Sequence, residues 1–152
     1  MINYDALPQT LKDFIFYLEI ILGKSKSTTY EYILDLENFF RFMKIKKNNF
    51  PKDTKLHNVA IHDLDVSFVA SITLEDIYEY LYFCREKRGN GSRSIARKMS
   101  TLRTYYKYMT VKSNQLEKNP MENVQTPSLP KTLPKYLSLE ESTSLLDAVK
   151  QS

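Results

Sequence analysis

Apolar residues recur at steps of three and four along most of the chain, and this spacing places them on one face of a helix. Alternating runs bounded by turn residues, which would predict strands, are nearly missing, and the chain contains only three glycines. With 152 residues and 42% hydrophobic content, the chain can bury one core. We therefore predict an all-α fold, an orthogonal bundle of four to five helices followed by an extended linker.

The first two helices have recognisable ends. Pro8 suits the first turn of helix one, and Gly23 can adopt the left-handed conformation that ends it. Either Ser27 or Thr28 can cap helix two. Its apolar stripe predicts that this helix runs to about Lys44.

The segment 45–72 is polar at its start but contains apolar residues that need burial, so we predict a long crossover with one short helix. Thr73 and Asp76 form a capping-box pattern, and the helix that they begin is predicted to end near Gly89. A further helix is predicted from Ser92, because Ile95 and later apolar residues repeat at helical spacing.

The composition changes after this last helix. Asn119 and Pro120 predict a short turn, and prolines at 127, 130 and 134 then keep the connection extended. Ser138 with Glu141 has the pattern of a capping box that starts a new helix. The chain is therefore expected to be a fragment, divided into a helical domain at 1–125, a linker at 126–137 and the start of a truncated second domain at 138–152.

The basic residues are concentrated in one part of the chain. The whole chain has a net charge of +4, whereas residues 85–112 contain nine basic residues and one acidic residue, Glu86, for a local charge of +8. The rest of the chain must then be acidic on balance. A localised positive field of this kind is typical of a surface that binds a polyanion.

The helix predicted from Ser92 carries this charge on the side opposite its apolar stripe. Arginine, lysine and small hydroxyl side chains, with no acid among them, suit contact with DNA phosphates and base edges. The alternative is a solvated surface, although such faces usually mix the two signs of charge. The predicted contacts on this helix are Arg93, Ser94, Arg97, Lys98, Thr101 and Lys107, of which Arg97 and Thr101 are placed for base edges and Lys98 and Lys107 for phosphates.

A second candidate site lies at the start of helix two. Backbone N–H groups and the helix dipole favour a phosphate there, and the nearby side chains are basic or hydroxylic. Helix capping alone also explains the hydroxyls, and the two sites form one surface only if the bundle brings them to the same side. The predicted contacts are Lys26, Ser27, Thr28 and Thr29.

Other kinds of site find less support. His57 and His62 lie near two aspartates but lack further ligands at conventional metal-site spacing, so we predict no metal and no cofactor. Six tyrosines near the predicted helices could stack on bases, but for most of them core packing with the hydroxyl reaching solvent is favoured; they are Tyr78, Tyr80, Tyr82, Tyr105, Tyr106 and Tyr108. With a single cysteine, Cys84, no signal peptide and no run that approaches a membrane span, we expect a cytoplasmic protein.

Three segments resemble a known family. Thr28, Tyr32, Asp35-Leu36, Phe39 and Phe42 resemble the T-x3-Y-x2-DL-x2-F-x2-F pattern in the amino-terminal core-binding domain of tyrosine recombinases, the phage integrase family. Residues 94–106 resemble the last main helix of that domain. Asn119-Pro120 and then 133–146 are similar to the connector that leads into the catalytic domain of the family.

The resemblance implies a SAM-like helical bundle whose second and fourth main helices approach the major groove, here at 26–32 and 93–107. It also implies catalysis by a tyrosine nucleophile with arginine, lysine and histidine partners in the catalytic domain. This chain stops soon after that domain would begin, so no catalytic residue is assigned and its own enzymatic activity is left open.

We hypothesise that the chain is the DNA-binding core-binding domain of a site-specific tyrosine recombinase or integrase. Its partners would be duplex DNA and, in the full-length protein, other recombinase subunits, while the fragment itself would be a monomer. Dimer resolution, phage integration and transposition remain open as its task. The alternatives are a non-catalytic helical DNA-binding regulator, for which the chain would be complete, and a protein-interaction bundle whose basic face meets an acidic partner.

Overall fold

A computed structural model describes residues 3–51 and 53–124 of the chain, and these residues form helices joined by turns, with no strand among them. The predicted all-α bundle is confirmed. Along the described residues, no helix combines the length and the apolar character needed to cross a membrane. The predicted linker at 126–137 and helix start at 138–152 lie outside the described residues. The α-helices within these two ranges are α1 Gln9–Phe16, α2 Lys26–Lys47, α3 Val66–Ala70, α4 Leu74–Lys87 and α5 Ser92–Lys107.

Helix α1 continues into a wider π-helical turn, Tyr17–Ile21, before the chain reverses. The Lys24 backbone N–H donates to the Leu18 carbonyl at 2.8 Å, and Gly23 has a φ of 68°. A left-handed residue of this kind closes the helix end without the steric cost that a β-carbon would bring. The predicted stop at Gly23 is confirmed.

Helix α2 begins earlier than the sequence predicts. Ser25 has extended backbone geometry, and its hydroxyl accepts a hydrogen bond from the Thr28 N–H at 3.2 Å. The prediction that Ser27 or Thr28 is the cap is wrong, because both already lie inside the first helical turn. The helix also extends to Lys47, three residues beyond the predicted end.

Side chains of α2 form hydrogen bonds with the long crossover that connects α2 to α4. Arg41 Nε donates to the Val59 carbonyl at 3.2 Å, while Lys44 Nζ contacts the Ala60 carbonyl at 2.7 Å and Asp63 Oδ1 at 2.8 Å. The one predicted short helix corresponds to α3, and a 3-10 turn at Leu56–Asn58 precedes it.

The predicted capping box at the start of α4 is confirmed, and it also joins α4 to the end of α2. Asp76 accepts the Thr73 N–H at 2.9 Å and returns its own N–H to the Thr73 hydroxyl at 3.2 Å. Lys46 Nζ and Lys47 Nζ approach the same carboxylate at 2.9 and 3.1 Å. Burial alone would raise the pKa of Asp76, but the hydrogen bonds from Lys46, Thr73 and Lys47 hold it well below its ordinary value.

The core is rich in aromatic rings from different helices. Tyr105 on α5 packs edge-to-face on Phe14 of α1 and Phe40 of α2, with ring centroids 5.2 and 5.7 Å apart. Tyr80, Tyr105, Tyr106 and Tyr108 are buried in the core as predicted. The hydroxyl oxygens of Tyr80 and Tyr105 are buried as well, so the prediction that they reach solvent is wrong. The prediction of core packing is wrong for Tyr78 and Tyr82, which are exposed on α4.

The described chain closes with the short turn predicted at Asn119. The Asn119 side chain accepts the Met121 N–H at 2.8 Å, and Met121 and Leu116 are buried in the core. The Arg103 guanidinium donates to the Val124 carbonyl, so this segment lies against α5.

Candidate nucleic-acid interface

An aspartate on α2 meets three side chains of α5 where the two helices pack together. Arg97 donates to Asp35 twice, from Nη2 to Oδ1 at 2.8 Å and from Nε to Oδ2 at 3.2 Å. The Thr101 hydroxyl donates to Oδ2 at 3.0 Å, and Lys98 Nζ lies 3.4 Å from Oδ1. The paired N–H groups of an arginine match a carboxylate geometrically, so this contact fixes α2 against α5.

Asp35 changes the electrostatic character expected for α5. The sequence pattern predicts a face without an acid to neutralise it, and this prediction is wrong because the acid comes from another helix. The hydrogen bonds to Asp35 raise the pKa of the Arg97 guanidinium. Together, Arg97, Lys98 and Asp35 carry a net charge of +1, so part of the positive charge of α5 is balanced within the protein.

Two of the predicted DNA contacts on α5 are buried. Lys98 and Thr101 are covered because α5 packs against both α2 and α4, and their polar atoms face Asp35. The prediction that Thr101 reads a base edge from an exposed face is wrong about its position, and Lys98 likewise has its ammonium group turned away from solvent. Neither side chain is exposed for direct contact with DNA.

The remaining predicted residues of α5 reach the surface. Arg93 and Lys107 are exposed, Ser94 is half-buried, and 48% of the Arg97 side chain is exposed although it binds Asp35. Arg93, Arg97 and Lys107 thus supply exposed positive charge along α5.

The start of α2 presents a second group of polar residues. Lys26 is exposed and forms an ion pair with Glu19 at 3.0 Å, and this hydrogen bond raises the pKa of Lys26. Ser27 and Thr28 are exposed. Thr29 is buried and its hydroxyl donates to the Ser25 carbonyl at 3.0 Å, so it does not lie on the exposed surface that the predicted contact requires.

The two candidate sites share one cleft. Its lining residues come from the first half of α2 and the middle of α5, so both helices can contact a ligand bound there. The lining residues are Thr28, Glu31, Tyr32, Asp35, Arg97, Ser100 and Thr101. We call this the α2–α5 cleft. The bundle therefore brings the two predicted sites to the same side.

A metal centre finds no support in the part of the chain that the structure describes. No group of three or more His, Cys, Asp or Glu side chains within it is arranged to hold an ion. His57 and His62 are both exposed.

Sequence reasoning missed Asp35 as a member of the site. A signal for it was present, since an acid at a buried position among Ile33, Leu36 and Phe39 requires a charged or hydrogen-bonding partner. The identity of the partner could not be read from the sequence, because Arg97 lies 62 positions further along the chain.

These features define an all-helical bundle, within the described residues, with a polar cleft between two of its helices, where Arg97 lies among hydroxyl side chains and the acids Glu31 and Asp35. Three curated relatives match the chain over nearly its full length. A tyrosine recombinase XerC from Caldanaerobacter subterraneus subsp. tengcongensis is 34% identical and one from Myxococcus xanthus is 30% identical, each over 93% of this chain and 40% of the relative. A tyrosine recombinase XerD from Listeria innocua is 28% identical over 91% of this chain and 40% of the relative.

Over the matched segment, the curated homologues of this chain are tyrosine recombinases, and this similarity supports a relation to the tyrosine recombinase family. The chain spans about two-fifths of the length of the curated relatives that it matches. No family model matches the chain. No solved structure matches it either.

Proposed function

We propose that the helical bundle is the core-binding domain of a site-specific tyrosine recombinase and that it docks on duplex DNA through α2 and α5. The observation that carries this proposal is the α2–α5 cleft, where Arg97 of α5 and Thr28 at the exposed start of α2 line the same surface. Arg93 and Lys107 add exposed positive charge elsewhere along α5. The similarity to XerC and XerD recombinases supports it. In this proposal residues 1–125 are the DNA-binding domain, 126–137 the linker and 138–152 the start of a catalytic domain.

The proposed contacts are the exposed members of the predicted set. Arg97 faces the cleft and has three N–H groups beyond the two bonded to Asp35, so it can bind a base edge or a phosphate. The proposed phosphate contacts are Lys26, Thr28 and Lys107. Arg93, Ser94 and Ser27 are further proposed contacts with DNA. Strand transfer and assembly with other subunits on DNA belong to the full-length protein in this proposal.

The proposal is tested by titrating isotope-labelled protein with a mixed-sequence duplex at low and moderate salt. Amide shifts at 26–32 and 93–107 that weaken with salt are expected. The absence of shifts at low salt would overturn the proposal and favour a bundle that binds an acidic protein instead.

A charge-removal series locates the surface more closely. Affinity falls as salt rises, and Lys107→Ala should make the plot of log affinity against log salt less steep by about 0.9, the value for one lost phosphate contact. Lys55→Ala is the matched control, because Lys55 is exposed on the crossover and belongs to neither α2 nor α5. Equal effects of the two variants would mean that binding is spread over the protein surface without a defined interface.

A further inference from the structure

The Asp35 carboxylate is surrounded by donors from α5. Oδ1 accepts from Arg97 and Lys98, and Oδ2 accepts from Arg97 and Thr101. Each oxygen thus has two partners, which satisfies a carboxylate that is almost removed from water. Asp35 belongs to α2, but its carboxylate accepts hydrogen bonds from side chains of α5.

Burial differs sharply among the members of this cluster. The side chains of Asp35 and Lys98 are 6% and 8% exposed, whereas that of Arg97 is 48% exposed. Thr101 is also buried. Of the three α5 side chains bonded to Asp35, Arg97 therefore reaches solvent, and it does so at the α2–α5 cleft.

An arginine held in this way differs from one that moves in solvent. Its Nε and one Nη2 hydrogen face the carboxylate, and the remaining N–H groups are fixed in direction because the guanidinium is planar. A side chain that is already ordered loses less conformational freedom on binding. Orientation by a buried acid can therefore strengthen binding to an anion even though the acid adds negative charge.

We infer that Asp35 is a positioning residue for DNA binding, which orients the Arg97 guanidinium in the α2–α5 cleft so that its outward N–H groups meet the DNA. This inference rests on the proposed function and adds a residue that does not itself contact the ligand. It makes recognition by α5 dependent on a side chain of α2.

The positioning role and a purely electrostatic role of Asp35 predict opposite changes in DNA affinity for Asp35→Asn. If Asp35 acts on DNA only as a nearby negative charge, then Asp35→Asn should tighten binding by removing repulsion. If Asp35 positions Arg97, the same variant should weaken binding despite its extra positive charge. Glu31→Gln is the matched control, because Glu31 is exposed, lines the same cleft and acts on Arg97 through its charge.

The experiment measures the affinity of each variant for a mixed-sequence duplex by fluorescence anisotropy at several salt concentrations. Asp35→Asn is expected to bind about fivefold or more weakly, comparable with Arg97→Ala, and Glu31→Gln is expected to bind equally or more tightly. Binding by Asp35→Asn that is as tight as that of Glu31→Gln would overturn the inference.

A double substitution separates positioning from a general structural effect. If Asp35 acts through Arg97, adding Asp35→Asn to Arg97→Ala should cause no further loss of affinity. If Asp35 only holds the bundle together, the double variant should bind more weakly than Arg97→Ala, and the inference fails. Far-ultraviolet circular dichroism and thermal unfolding show whether each variant is folded.

Arg97→Lys gives a second test that leaves the buried carboxylate in place. A lysine keeps the charge but cannot form the paired contact, so it should bind as weakly as Arg97→Ala. Wild-type affinity in Arg97→Lys would overturn the inference while leaving the proposed function intact. A wild-type protein that fails to bind the duplex at low salt would instead overturn the proposed function itself.

Discussion

Replacing Asp76 by asparagine should destabilise the bundle, because one carboxylate joins the end of α2 to the start of α4. The Asp76 carboxylate accepts a hydrogen bond from the Thr73 backbone N–H and forms ion pairs with Lys46 and Lys47. The side chains of these lysines are 33% and 24% exposed. Hydrogen bonds to charged groups contribute about 1.5–3 kcal/mol each, and partial exposure puts the lysine contacts at the low end. Since an asparagine oxygen can keep one of the three contacts, we expect a loss of about 2–3 kcal/mol in the free energy of unfolding.

Urea denaturation followed by circular dichroism measures the free energy of unfolding of wild type and Asp76→Asn. The difference between the two proteins should depend on pH in a defined direction. The pKa of Asp76 is lowered in the folded state from the ordinary 3.8, so its stabilisation is fully present above that value. The stabilisation is lost as the pH falls through the folded-state pKa. The gap between wild type and Asp76→Asn should therefore be constant from pH 7 to 5 and should narrow below about pH 4.

A control variant isolates the buried contact from the general effect of removing an acid. Glu79 lies 3.5 Å from the same Lys46 but is 59% exposed, so Glu79→Gln should change stability by about 0.5 kcal/mol or less. Equal losses in Glu79→Gln and Asp76→Asn, or a gap that does not narrow at acid pH, would refute this reasoning.

Three further predictions concern the core and the helix ends. Phe14→Ala should lower the free energy of unfolding by about 3–5 kcal/mol in urea denaturation, because Phe14 is fully buried. Gly89→Ala should lower the free energy of unfolding by about 1 kcal/mol in the same assay, because Gly89 has a φ of 69°, which is unfavourable for alanine. A β-carbon at this position would have no other atom within 4 Å, so the loss would come from the backbone conformation and not from a steric clash. Burial raises the pKa of the Cys84 thiol, so Ellman's reagent should react far more slowly with native than with urea-unfolded protein at pH 8; equal rates would contradict the burial.

Local patterns predicted the helices well because they depend on neighbouring residues. The capping box of Thr73 and Asp76, the stop at Gly23 and the start of α5 at Ser92 all follow from side chains within one or two turns. The cap of α2 was misplaced because several hydroxyl residues follow one another there. The choice of Ser25 depends on the path by which the chain leaves α1, which local pattern does not contain.

The candidate site was predicted in part. The exposure of Arg93 and Lys107 follows from the helical arc opposite the apolar stripe. The burial of Lys98 and Thr101 does not follow, because α5 packs against α2 and α4 at once and a larger share of its circumference is covered than the apolar stripe indicates. The partner that makes burial of Lys98 tolerable, Asp35, lies about 60 positions earlier.

The ring contacts between α1 and α5 bear on the order in which the bundle folds. Phe14 and Tyr105 lie about 90 positions apart, so their contact closes a loop over most of the described chain. Contacts of this separation slow folding relative to bundles held by local pairs. During synthesis the buried side chains of α1, which include Leu11 and Ile15, can meet α2 early but would lack α5 until the ribosome has passed Tyr105. Among the described helices, α1 is therefore made first, but its packing is complete only after α5 has been made.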